Sequence, residues 1–153
     1  MAKEAYNKYG FFPLHPENAR ITHYPIKTGQ TLATGDPVIL SSGQIAVAVS
    51  NSSTELIGVI ACNCSSLTAG TLVPVWDDPD TIFKCRVSAD ASSLAVGTAR
   101  DLTGTTGAFQ LNVAAGTQSV VLFMGCLPAE DNSQVGAYCR ARIAKHGFAD
   151  ISS

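Results

Sequence analysis

From Ile21 onward the chain is a succession of short apolar, β-branched runs, each stopped by Gly, Ser, Asn, Asp or Pro. Runs of this length, separated by turn residues, predict strands. The expected strands are Ile21–Ile26, Pro37–Leu40, Gln44–Val49, Leu56–Cys62, Thr71–Trp76, Ile82–Val87, Ala95–Leu102, Ala108–Val113, Val120–Leu127 and Tyr138–Ile143. Turn signals stand between them at Thr34-Gly35-Asp36, Ser41-Ser42-Gly43, Asn51-Ser52-Ser53, Asp77-Asp78-Pro79-Asp80 and Thr103 to Gly107. Short strands spaced about 8–12 residues apart point to a sandwich or a barrel. No stretch sustains an apolar repeat at the helical period.

Alternation assigns faces to some of these strands. Phe83, Cys85 and Val87 are expected inside with Lys84 and Arg86 outside, and Cys139, Ala141 and Ile143 inside with Arg140 and Arg142 outside. Gln44–Val49 and Val120–Met124 offer no polar face. They must lie between two layers or be covered on one side by another chain. Thr34-Gly35-Asp36-Pro37-Val38 and Ala69-Gly70-Thr71-Leu72-Val73 echo each other as Gly-led turns entering strands, which hairpin geometry explains without a repeat.

Residues 1–20 break this pattern and form an extended N-terminal arm ahead of a single domain over 21–153. Tyr6, Tyr9, Phe11 and Phe12 are four of the eleven aromatics of the chain, and Pro13 and Pro16 disfavour helix. Tyr6, Tyr9, Phe11, Phe12 and Leu14 are the candidate protein-interface residues. Their side chains either fold back on their own domain or insert into a partner.

Composition narrows the function. The 153 residues suit one domain. Only 14% are charged against 46% hydrophobic, where about 25% charged is ordinary, so the composition suits a subunit whose faces are covered by neighbours. A net charge of -2, with no Lys or Arg between Thr28 and Phe83, argues against a nucleic-acid partner. The local basic group Arg140, Arg142 and Lys145 reads as a solvated strand face. No apolar run approaches the ~20 residues of a membrane helix, and the first residues carry no pattern of an export signal. The five cysteines therefore read as reduced and mostly buried.

Candidate chemistry is sparse. Cys62 and Cys64 would share one side of a strand, but no second cysteine pair follows to complete a zinc site. Asp77, Asp78 and Asp80 lack the ligand alternation of a calcium loop and read as an exposed acidic turn. His15, His23 and His146 stand apart, and no nucleophile elbow or phosphate-binding loop occurs. The expectation is a protein that is not an enzyme, with no catalytic residues, metal or cofactor. Trp76 beside Asp77 and Asp78 leaves open a ligand- or carbohydrate-binding β-module.

Gly35-Asp36-Pro37-Val38, Ile57-Gly58-Val59-Ile60-Ala61 and Ala69-Gly70-Thr71-Leu72-Val73-Pro74-Val75 carry a likeness, all within Thr28–Val75. This stretch resembles the head decoration, or cement, proteins of tailed bacteriophages, with Val96 to Leu102 and Arg140–Phe148 similar in kind. The resemblance implies a compact antiparallel β-barrel or β-tulip, made in the host cytoplasm and carried on the outer surface of the virion capsid. It implies a homotrimer that binds the major capsid protein and locks its subunits together, without catalytic residues. The alternative is a carbohydrate-binding β-module of a phage head fibre or tail tip.

Overall fold

The computed structural model describes residues 9–50, 55–127 and 138–144. The architecture is all-β, a small sandwich of two curled antiparallel sheets. The first sheet holds β2 (Ile21–Pro25), β4 (Pro37–Ser41), β5 (Gln44–Val47), β6 (Leu56–Ile60) and β8 (Leu72–Trp76), in the order β2-β8-β6-β4-β5. The second holds β1 (Phe12–Pro13), β9 (Phe83–Arg86), β10 (Ala99–Thr103), β11 (Gln110–Asn112), β12 (Val121–Cys126) and β13 (Tyr138–Ile143), in the order β1-β9-β13-β12-β10-β11. A two-residue pair, β3 (Thr31–Leu32) with β7 (Cys64–Ser65), stands beside the first sheet. Each of the ten expected strands is present: Tyr138–Ile143 is unchanged, Pro37–Leu40 runs one residue further to Ser41, Ala95–Leu102 starts later and ends at Thr103, and the other seven are trimmed at one or both ends.

Leaving β1 aside, the two sheets repeat one topology: β2-β8-β6-β4-β5 corresponds in chain order to β9-β13-β12-β10-β11. Each curls until its ends meet at a single parallel bridge, Ile26 to Ile45 in the first and Val87 to Leu111 in the second. The accompanying hydrogen bonds also match, Lys27 N–H to Ile45 O at 2.9 Å and Ser88 N–H to Leu111 O at 2.9 Å. One bridge does not make a ladder, so neither sheet closes into a barrel.

A sequence signature accompanies the repeat. Leu32-Ala33-Thr34-Gly35-Asp36 enters β4 as Leu94-Ala95-Val96-Gly97-Thr98 enters β10. Gly35 (φ 101°) and Gly97 (φ 94°) take the left-handed conformation that glycine permits. Gly35 N–H bonds Ile60 O (3.0 Å) and Gly97 N–H bonds Phe123 O (2.8 Å). The real repeat thus pairs residues 32–36 with 94–98, not with the Ala69–Val73 turn.

Burial follows from strand alternation and one bulge. Phe83, Cys85, Val87, Cys139, Ala141 and Ile143 are all buried, as alternation requires. With Phe109 from the β10–β11 connection, Val121 and Phe123 from the second sheet and Leu56 and Val59 from the first, they form a core shared by both sheets. A second cluster, including Ile26, Leu32, Val38, Ile45, Ile57, Ile60, Val73 and Val75, fills the curl of the first sheet under β3 and β7. In β6 the register slips, with Val38 opposite Gly58 and Ile39 opposite Leu56, leaving Ile57 as the extra residue of a bulge. Leu56 and Val59 therefore reach one cluster and Ile57 and Ile60 the other, so all of β6 is buried. Gly58 is required there, because a Cβ would run into the carbonyl oxygen of Trp76. Gln44–Val47 likewise lies between the two clusters, which accounts for its lack of a polar face.

Candidate interaction surface

Residues 9–14 form a strap across their own domain. Pro13 and Pro16 keep the segment extended until one turn of 3-10 helix at Pro16–Asn18. Gly10 N–H bonds Phe109 O (2.9 Å), Phe11 N–H bonds Gly35 O (2.8 Å) and Leu14 N–H bonds Ile82 O (2.9 Å). Phe12 and Pro13 pair with Lys84 and Phe83 of β9. Phe11 is 3% exposed and meets Phe83 edge-to-face, with ring centroids 6.4 Å apart. The structure therefore places Phe11 in the core rather than on a surface open to a partner. Phe12 and Leu14 are half-buried, Tyr9 remains exposed, and Tyr6 lies outside the described residues.

Tyr9 is held by a contact that sequence spacing conceals. The Arg86 guanidinium lies 4.8 Å from its ring centre and 5.2 Å from that of Tyr138, which Lys84 Nζ approaches at 4.8 Å. The two outward cations of β9 are thus spread over aromatic rings.

The acidic turn divides into unlike parts. Asp77 is 2% exposed and accepts hydrogen bonds from Arg20 Nε (2.9 Å) and the Tyr24 hydroxyl (2.5 Å), so it is an anchor for β2. Burial alone would raise its carboxyl, but hydrogen bonds from Tyr24, Arg20 and Thr22 outweigh this and hold it below the ordinary 3.8. The folded value being the lower, Asp77 contributes stability above pH 3.8 that is lost as the pH falls through the folded value. Asp77→Asn is expected to flatten the acid limb of a plot of Tm against pH; an unchanged limb would show that this carboxylate does not anchor β2.

Asp78 and Asp80 lie with His15, Asn18 and Thr81 along an open groove of about 280 Å³. His15 is exposed and sits 3.8 Å from Glu17, while Asp80 accepts a hydrogen bond from Arg142 at 3.1 Å. Trp76 is half-buried against the shared core, and its neighbour Asp77 is already engaged by Arg20 and Tyr24. His23 is exposed on β2, and His146 and Lys145 lie outside the described residues.

The thiols are dispersed through the fold. Cys64 is buried, and its thiol is pushed up to about 11 by burial and by neighbouring Cys62. Cys85 and Cys139 face each other across β9 and β13 with sulfurs 3.6 Å apart, and burial raises Cys85 well above the ordinary thiol range. Such thiols are poor nucleophiles. Among the described residues, no three side chains of metal-binding type converge.

What sequence reasoning missed is an apolar ladder on β2 and β8. Cross-strand partners share a face, so Ile21 with Trp76, His23 with Pro74 and Pro25 with Leu72 form one patch. Ile21 is 47% exposed and Leu72 62%. Val49 and Val96 are exposed elsewhere. The pairing of one strand with another far along the chain creates this patch, and no local run of residues announces it.

No protein-family model matches the chain, and no curated protein is significantly similar to it.

Proposed function

We propose that the chain is a decoration protein of a phage head, binding the outer surface of the mature capsid and strengthening contacts between major-capsid subunits. The observation that carries this reading is the cross-strand patch of β2 and β8, with Ile21 and Leu72 open to solvent and Pro25, Pro74 and Trp76 half-buried, on a domain with so little charge. Such a patch favours burial against another protein surface. The turn-and-strand motifs of Thr28–Val75 supply the likeness that names the lattice. Binding only to the assembled shell would oppose dissociation by mass action, and three-fold association of the chain would multiply the effect.

The test compares capsids with and without the protein for release of packaged DNA on heating and on osmotic shock. Decorated capsids are expected to resist both for longer. Equal resistance, or failure of the purified protein to bind expanded capsids, removes the reading.

A further inference from the structure

The internal repeat places β2 and β9 at equivalent edges, and among the described residues only one of the two is covered. Along β9 the outer edge is taken by the strap, through Phe12 and Pro13 opposite Lys84 and Phe83 and through Leu14 N–H to Ile82 O. Along β2, no strand of the described residues occupies the corresponding edge.

The register shows which groups stand open. Ile26 bonds toward the β8 side, donating to Thr71 O and accepting from Gly70 N–H, each at 2.9 Å. Hydrogen-bonding direction alternates along a strand, so Tyr24 and Thr22 also face β8. Ile21 and His23 direct their N–H and C=O groups away from it. Lys27, two residues beyond Pro25 and in phase with them, confirms the alternation by donating to Ile45 on the opposite side. The open edge thus carries two donors and two acceptors, bounded by the β5 bridge at one end and the 3-10 turn at the other.

We infer that a second copy of this chain covers this edge, with β2 pairing antiparallel to β2 about a two-fold axis through Thr22. Ile21 of each copy then lies opposite His23 of the other, and all four donor–acceptor matches are made. The edge is self-complementary, as an isologous contact requires. No like charges meet in this register, and it lacks the inward charges by which open edges avoid pairing. The pairing joins the two apolar ladders into one surface, bringing the Ile21–Trp76 rung of one copy against the His23–Pro74 rung of the other. A two-fold contact of this kind joins whatever unit the chain otherwise forms, and it stands without the capsid reading.

The register makes the test specific. Thr22 lies opposite itself in a non-hydrogen-bonded position, where Cα atoms approach to about 4.5 Å and a disulfide is readily made. His23 does not lie opposite itself. Under mild oxidation of the full chain, Thr22→Cys is expected to give a covalent dimer far faster than His23→Cys or the unsubstituted protein with its own five thiols. Sedimentation of the unsubstituted protein should show a unit that doubles in mass with concentration. Ile21→Lys, at an exposed position that leaves folding intact by circular dichroism, should weaken that doubling by about tenfold. Equal cross-linking at positions 22 and 23 overturns the pairing, as does a mass that concentration does not change.

Discussion

Truncation of Phe83 to alanine is expected to remove about 3–5 kcal/mol of folding stability, enough to unfold a marginal domain. Phe83 is 1% exposed and stands where three parts of the molecule meet. Its backbone pairs with Pro13 of the strap and Ala141 of β13, and its ring lies perpendicular to that of Phe11. Leu56 and Val59 of the other sheet, with Pro37 and Val121, line a small apolar void beside it. Because that junction already holds a packing gap, removing the ring enlarges a cavity that rigid strands on both sides cannot close. Urea unfolding gives the loss directly. The same variant should speed amide exchange at Gly10 and Phe11, whose hydrogen bonds depend on the strap lying flat. A loss below about 1 kcal/mol would mean that the ring is not a junction residue.

The second large effect is expected at Asp36, which is fully buried in the turn entering β4. One carboxylate oxygen accepts Ala33 N–H (2.9 Å) and the other accepts Gly107 N–H (2.9 Å) from the β10–β11 hairpin. Asp36→Ala removes the acceptor of both donors, the half-buried Ala33 N–H and the exposed Gly107 N–H, at about 1–2 kcal/mol each, so a total of about 2–4 kcal/mol is expected from denaturant midpoints. Asp36→Asn can satisfy only one of the two, since its amide nitrogen meets the other N–H as a second donor. It should fall below the native protein and above the alanine variant. An asparagine variant as stable as native would show that one of these bonds does not form.

The charge at Asp36 works against its own geometry. Burial raises its carboxyl above the ordinary 3.8, with the bonds from Ala33 and Gly107 offsetting part of the rise. A raised folded value means that the folded state takes up the proton first, so Asp36 adds stability as the pH falls through that value. Asp77 acts with the opposite sign. The Asp36→Ala protein should therefore lose stability more steeply on acidification than the native one.

The strand content was legible because turn residues and alternation are local. Phe83 to Val87 needed only its own side chains to declare an inner and an outer face. The short strands Thr31–Leu32 and Cys64–Ser65 have no such pattern, since two residues cannot alternate. The internal repeat stayed hidden because its second copy keeps the Leu-Ala-x-Gly entry while putting Thr98, Ala99 and Arg100 where the first has Asp36, Pro37 and Val38. What those residues do has changed with them: Asp36 binds two amides across the molecule, whereas the Thr98 hydroxyl bonds only Ala95 O. The N-terminal aromatics were recognisable as unusual, yet whether they turn inward depends on Gly10 and Gly35 passing close enough for Phe11 to enter the core. Asp77 looked like part of an acidic turn because Arg20 and Tyr24, more than fifty residues earlier, give no sign in sequence of reaching it.

The strap also sets the order in which the molecule can be made. Gly10 is bonded to Phe109, and Phe11 lies against Phe83, so a segment near the start of the chain is fastened by residues far along it. Contacts that span so much sequence close late, because the loop entropy must be overcome before they form. During synthesis the first sheet has all its strands before those that hold the strap exist, and Phe11 must wait outside until β9 and the β10–β11 hairpin arrive. A nascent chain halted after β8 should therefore expose Phe11 and Tyr9 to solvent and to chaperones, and completion of the second sheet should withdraw Phe11.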